Sequence, residues 1–161
     1  MLPKKYRLKT KDVIYLTKKK QFFSSGLFSF FYIPQYPNLS FHQISFHVSI
    51  KLSKHSTARN IIKRAVIRYI QDQEMIQKKR EGWYYKIFIM LNKNNLETLQ
   101  KQIANLPKKN IITSVQQQFA GSFRLLQSKV WASSKTSWID QKTSWAHSNQ
   151  KIKNNLMNSE K

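Results

Sequence analysis

Between Asp12 and Asp72 the chain runs for 59 residues without a single carboxylate. A segment of that composition cannot neutralise its own lysines and arginines. They must sit on the surface of the fold, and their counter-charge must come from outside it. The densest part is Lys51 to Arg68, KLSKHSTARNIIKRAVIR, with six Lys and Arg residues, one His and no acid. Wound as a helix at about 3.6 residues per turn, it sorts by face. Ala58, Ile61, Ile62, Ala65, Val66, Tyr69 and Gln73 fall on one side; Arg59, Asn60, Lys63 and Arg64 fall on the other, with Arg68 at the margin. The apolar stripe seats the helix on a core, and the far side presents planar guanidinium forks and mobile ammonium groups suited to phosphate.

The whole chain agrees with that local reading. Its formal charge is +22 over 161 residues, a self-repulsion that a polyanionic partner would relieve. Nucleic acid is the first candidate, because each phosphate contact releases counterions. An anionic membrane surface is the second. Cysteine is absent, which removes disulfides, thiolate nucleophiles and Cys-ligated zinc, and fits a reducing cytoplasm. Residues 1–12 are basic with no apolar run behind them, so no secretion signal is expected. Trp83 to Leu91, interrupted by Lys86, is too short to cross a bilayer.

Catalytic constellations are missing. Within residues 13–127 the acids are Asp72, Glu74, Glu81 and Glu97, which supply no converging carboxylates for a two-metal nuclease. His42 and His47 have opposite parity on one strand, so they face opposite ways. Three glycines cannot furnish a phosphate-binding Gly-rich loop. No catalytic residue and no protein metal ligand is expected.

The order of elements follows from periodicity and punctuation. A basic arm leads to a short helix beginning near Asp12, with Val13, Ile14, Tyr15 and Leu16 as apolar content and Lys18, Lys19 and Lys20 in its last turn. Gln21 to Ser25 is expected to be a turn. LFSFFYI, Leu27 to Ile33, predicts a strand closed by Pro34. Its Phe28, Phe30 and Tyr32 share one face; both faces are apolar, so one packs on helices and the other could floor a cleft for single-stranded RNA. Phe41 to Ile50 alternates as a half-buried strand, expected to lie beside the first as its antiparallel neighbour. Ser56 or Thr57 is the expected N-cap of the basic helix, which runs to about Lys79 and is stopped by Gly82. WYYKIFIML, 83–91, predicts a strand parallel to Phe41–Ile50, with the helix as crossover. A helix with Leu96, Leu99, Ile103 and Leu106 ends at Pro107, and a further one spans roughly 110–127. From 128 to 161 the composition turns to Ser, Lys, Asn, Gln and Thr and predicts a basic, largely disordered tail. The tail contains the repeat KTSWIDQ-KTSWAHS, with Trp131, Trp138 and Trp145 seven residues apart.

The central stretch resembles the signature of the bacterial ribonuclease P protein component, a basic loop followed by a helix close to RNRxKRxxR. Arg59-Asn60-Ile61-Ile62-Lys63-Arg64 follow it, with Arg68 one residue beyond the place of its last Arg, and Lys51 and Lys54-His55 precede them. Arg7-Leu8 with Asp12-Val13, the strand Ile44 to Lys51, and WYYKIFIML resemble the family's flanking elements, so the likeness covers about residues 4–127. Ile61 stands where the family has its second Arg, and no Phe marks the first helix.

The resemblance implies an α+β domain over 1–127, ordered α-β-β-β-α-β-α, with a four-stranded sheet and a left-handed βαβ crossover, then a C-terminal helical extension and the tail. With three strands evident, the fourth is expected from a split in the 21–33 region. It also implies a function: a cytoplasmic subunit of ribonuclease P that assists magnesium-dependent removal of the 5′ leader from precursor tRNA. In that reading the RNA subunit performs the chemistry and holds most of the magnesium, with one protein per RNA and no membrane involved. The expected RNA-subunit contacts are Lys51, Lys54, His55, Arg59, Asn60, Lys63, Arg64 and Arg68. The expected leader contacts are Val13, Leu16, Phe30 and Tyr32. The alternative is a ribosomal or ribosome-assembly RNA-binding protein, which shares the charge but does not account for the Arg59–Arg68 pattern lying between two strands. A major-groove DNA reader would need a helix-turn-helix pair that the chain lacks. A membrane-surface protein would leave the helix's apolar stripe exposed.

Overall fold

The computed structural model describes residues 2–19, 21–77 and 84–128. Helix α1 is Thr10–Lys19; strands β1 Phe22–Ser25, β2 Phe28–Pro34 and β3 Gln43–His47 follow; α2 is Ser56–Asp72, β4 Tyr85–Leu91, α3 Leu96–Asn105 and α4 Lys108–Leu126. The four strands form one sheet in the order β1-β2-β4-β3. β1–β2 and β2–β4 are antiparallel, and β3–β4 is parallel, with α2 as the crossover that a parallel pair requires.

The fourth strand comes, as expected, from a split in the 21–33 region, and it takes up Phe22–Ser25, within the stretch Gln21 to Ser25 otherwise expected to be a turn. Phe22 to Ser25 pair with Phe31 to Phe28, and the reversal is made at Gly26, whose φ of +54° lies in the left-handed region that glycine enters without steric cost. The Gly26 carbonyl accepts from the side-chain amides of Asn92 and Asn95, and Ser122 Oγ donates to the Ser25 carbonyl at 2.8 Å. Thus the hairpin is tied to the end of β4 and to α4.

A second expectation is also corrected: β2 and β3 are not neighbours. β4 lies between them because its pattern suits a central strand. Tyr85 through Ile89 are all buried, so both faces need covering, and only a central position provides that.

On one face of the sheet, α2 and α4 complete the main core. α2 contributes Ile62, Ala65, Val66 and Ile70; α4 contributes Ile111, Val115, Phe119, Phe123 and Leu126. The i, i+4 spacing within each set aligns them along one stripe. They close on Phe28, Phe30, Ile44, Phe46, Ile87 and Ile89. Gln116 Nε2 donates to the Ala65 carbonyl at 3.2 Å and sets the α2–α4 spacing. Gln73, placed on the apolar side by the wheel, is exposed, whereas Ile70 is fully buried.

The opposite face carries α1 and a smaller cluster of Leu8, Leu16 and Phe88, flanked by Val13, Phe31, Ile33 and Met90. One ion pair fastens this layer. Lys86 Nζ donates to Asp12 Oδ1 at 2.6 Å, and the two side chains are 5 % and 23 % exposed. Removing one partner of such a pair leaves a buried charge unmatched. Asp12→Ala should therefore cost about 2–4 kcal/mol in urea denaturation. Lys86→Met should cost less, because the carboxylate left behind is closer to water. Equal, small losses in the two variants would contradict this.

α2 ends at Asp72 and not near Lys79. Met75 N–H donates to the Ile70 carbonyl and Glu74 N–H to that of Gln71, with Glu74 in the left-handed region at φ 49°. That is a Schellman stop, and it folds Met75 and Ile76 into the core at 4 % and 7 % exposure. Gly82 and Trp83 lie outside the described residues. The tail from 129 onward, with its three tryptophans, lies outside them too.

Candidate nucleic-acid interface

The basic loop that precedes α2 is pinned from three directions. Leu52 is buried at its centre. Gln100 Nε2, from α3, donates to the Lys51 carbonyl at 2.8 Å. Arg59 Nη1 donates to the carbonyls of Ser53 at 2.6 Å and Lys54 at 2.9 Å. The expected N-cap is not used: His55 occupies the cap position without a side-chain bond, and Ser53 Oγ accepts the His55 N–H. Arg59 is thus partly committed to holding the loop. The side chains of Lys51, Lys54 and His55 are left exposed around it.

Along α2, Asn60, Lys63, Arg64 and Arg68 are exposed on the side away from the sheet. Arg68 approaches Asp72 at 4.0 Å, but the side chains are 80 % and 60 % exposed, so the pair holds the guanidinium only weakly. Arg64 and Arg68 form a ridge with a concavity on each flank. One, of about 670 Å³, is lined by Asn60, Lys63, Ile67 and Gln71 beside the two arginines. The other, of about 430 Å³, lies against α4 and adds Thr57, Ile61, Ala65, Lys108 and Ile112. All eight residues expected to contact RNA therefore occupy one continuous stretch of loop and helix. Lys108 joins them from an element the sequence reading had left out of the site. The missed signal was its position: a Lys pair, Lys108-Lys109, opening a 19-residue helix, the end where the helix dipole disfavours cations.

The four expected leader contacts are divided by the sheet. Val13 and Leu16 lie under α1 on one face. Phe30 is fully buried in the main core on the other face, and Tyr32 packs against that core, where burial pushes its hydroxyl pKa up. Phe30 and Tyr32 are therefore not cleft residues. The strand's other parity, Phe31 and Ile33, faces α1. Leu16 is only 1 % exposed and fills the layer between α1 and the sheet. The open part of this face is a cleft of about 440 Å³ lined by Asp12, Tyr15, Gln21, Ile33, Pro34, Tyr36 and Lys86. Tyr36 and Tyr15 are 62 % and 49 % exposed, and Lys86 Nζ lies 4.2 Å from the centroid of the Tyr36 ring. Aromatic rings beside a cation are a platform for unpaired bases.

Among the described residues, no group of three or more His, Asp or Glu side chains could hold a metal ion, and no helix is long and apolar enough to cross a membrane.

The sequence matches no known family profile, and no curated protein matches it in sequence. Solved structures match it in fold. The Staphylococcus aureus RNase P protein superposes with a TM-score of 0.55 at 17 % identity, covering 78 % of this chain and 97 % of that one. The Thermotoga maritima RNase P protein, solved in complex with 1-(4-fluorophenyl)-2-thiourea, gives 0.53 at 16 % identity, with 77 % and 99 % covered. The layers, sheet order and crossover helix described above are therefore those of a known architecture: the chain has the fold of the bacterial RNase P proteins.

Proposed function

We propose that this chain is the protein subunit of a ribonuclease P, one copy binding the catalytic RNA and the 5′ leader of precursor tRNA in the cytoplasm. The observation that supports this best is the pinned basic loop and exposed Arg64–Arg68 ridge, carried on the crossover helix of an RNase P protein fold. The loop and α2 neutralise phosphates of the RNA subunit. The cleft between α1 and the sheet takes the single-stranded leader, with Tyr15 and Tyr36 as stacking surfaces and Ile33 as floor, in place of Phe30 and Tyr32. Magnesium, needed for hydrolysis in this reading, is held by the RNA; this chain's described carboxylates are too few and too scattered to build a cage for it. The protein's own contribution is charge neutralisation and positioning.

Affinity for a bacterial ribonuclease P RNA, measured against salt, tests the assignment. Arg64→Ala should flatten the slope of log affinity against log salt by about one unit and leave thermal stability unchanged. Arg59→Ala should do the same to binding and also cost about 1 kcal/mol of stability, because two loop carbonyls lose their donor. Unaltered binding and slope in both variants would remove the loop and helix from the interface.

A further inference from the structure

The concavity between α2 and the start of α4 is built differently from the rest of the basic surface. Its rim is cationic and polar: Arg64 and Arg68 from α2, Lys108 from α4, with Thr57 and Asn60 at one end. Its floor is apolar, made by Ile61 and Ala65 facing Ile112. A groove that only tracked phosphates would need no such floor. Ile61 is half-buried, at the boundary between the core stripe and the exposed face, and it stands where the resemblance places an arginine. One phosphate donor is thus absent and a branched aliphatic side chain takes its place. The volume, about 430 Å³, falls in the range of roughly 300–1,000 Å³ that accommodates a ligand the size of a nucleotide.

Resting on the reading above, we propose that this concavity accepts one unpaired nucleotide of the partner RNA. Its base lies against Ile61 and Ile112, and its phosphates lie on Arg64, Arg68 and Lys108. Sequence-specific recognition of RNA acts mainly on unstacked bases, which stack on aromatic rings or guanidinium planes and expose their edges to hydrogen bonding; here the guanidinium groups are those of Arg64 and Arg68, and the aliphatic floor shields the base from water. Asn60 and Thr57 supply donors and acceptors for such an edge. Lys108 completes the charge from the second helix. Its place at the positive end of α4 costs helix stability, and a bound phosphate would relieve that cost.

The test is chemical mapping of a bacterial ribonuclease P RNA with the full chain, using dimethyl sulfate for base edges and 2′-hydroxyl acylation for the backbone, together with affinity against salt. Wild type should protect the base edge of one unpaired nucleotide within its footprint. Ile61→Arg should fill the floor and free that base without tightening binding, although it adds a cation. Lys108→Ala should weaken binding roughly fivefold and flatten the salt slope by about one unit. Circular dichroism melts check the fold, and Ile61→Gln, which removes the apolar floor without added bulk, should also free the base if Ile61→Arg fails to fold. Tighter binding by Ile61→Arg with unchanged base protection would overturn the pocket and leave a plain phosphate groove. Wild type that binds the RNA but protects no base would overturn the pocket alone. Wild type that does not bind the RNA would overturn the parent reading, and this inference with it.

Discussion

Phe119→Ala should destabilise the fold by about 3–5 kcal/mol, the largest loss expected from any single substitution in the chain. Phe119 is fully buried. Its ring meets Phe28 edge-on at 5.1 Å and Phe30 at 6.1 Å in the sheet, Tyr69 of α2 at 5.7 Å, and Phe123 of its own helix at 5.8 Å. Its ring contacts thus join β2, α2 and α4. Truncation removes its transfer free energy and leaves a cavity that three rigid elements cannot close. Domains of this size are stable by about 5–15 kcal/mol, so the variant should unfold at a much lower urea midpoint. The denaturant slope should stay the same, since the surface exposed on unfolding hardly changes. A loss under about 1 kcal/mol would mean that α4 is not part of the cooperative core, and would also undo the α2–α4 concavity.

The second large effect is on binding. Lys63→Ala, Arg64→Ala and Arg68→Ala combined should weaken affinity for a bacterial ribonuclease P RNA by about 100-fold at physiological salt and flatten the salt slope by about two to three units. All three side chains are exposed on the outer side of α2, and Asp72 holds Arg68 only weakly. Stability should change by no more than about 0.5 kcal/mol, because no buried contact is removed. The same triple substitution therefore separates interface from scaffold: binding falls while the melting curve stays in place. A fall in both would mean that the ridge serves the fold itself.

Much of the fold was legible because its signals are local. The Arg59–Arg68 pattern, the stripe through Ile62 and Val66, the alternation of Ile44 and Phe46, and Pro107 between two helices all follow from spacing and chain stereochemistry. The parallel pairing of β3 and β4 followed from the length of the crossover. What sequence did not disclose is set by tertiary contacts. Phe22 to Ser25 becomes a strand because Gly26 reverses the chain and α4 holds the hairpin. β4 enters between β2 and β3 because both of its faces find cover there. α2 stops at Asp72 because Met75 and Ile76 gain more by entering the core than by prolonging an exposed helix.

The site shows the same division. The eight basic-face residues were legible because charge without counter-charge must lie outward. The four residues expected in one cleft are divided between the two faces of the sheet because β2 is apolar on both faces, so periodicity could not say which parity α1 covers. Packing settles it: Phe30 goes to α4, and Phe31 and Ile33 go to α1. Lys108 and the role of Arg59 as a clamp on the loop depend on contacts between distant segments, which composition does not carry.

The measurement that bears most directly on the proposed function is reconstituted cleavage. The purified chain is mixed with a bacterial ribonuclease P RNA and a 5′-extended precursor tRNA at low magnesium, and release of the leader is followed, with cognate and heterologous RNA subunits tried. The expected result is leader release that requires both the RNA and this chain, and that the Lys63, Arg64 and Arg68 triple variant fails to support. Tight RNA binding with no stimulation of cleavage at any magnesium concentration, cognate RNA included, would contradict the account and turn it toward a ribosomal or ribosome-assembly RNA-binding protein.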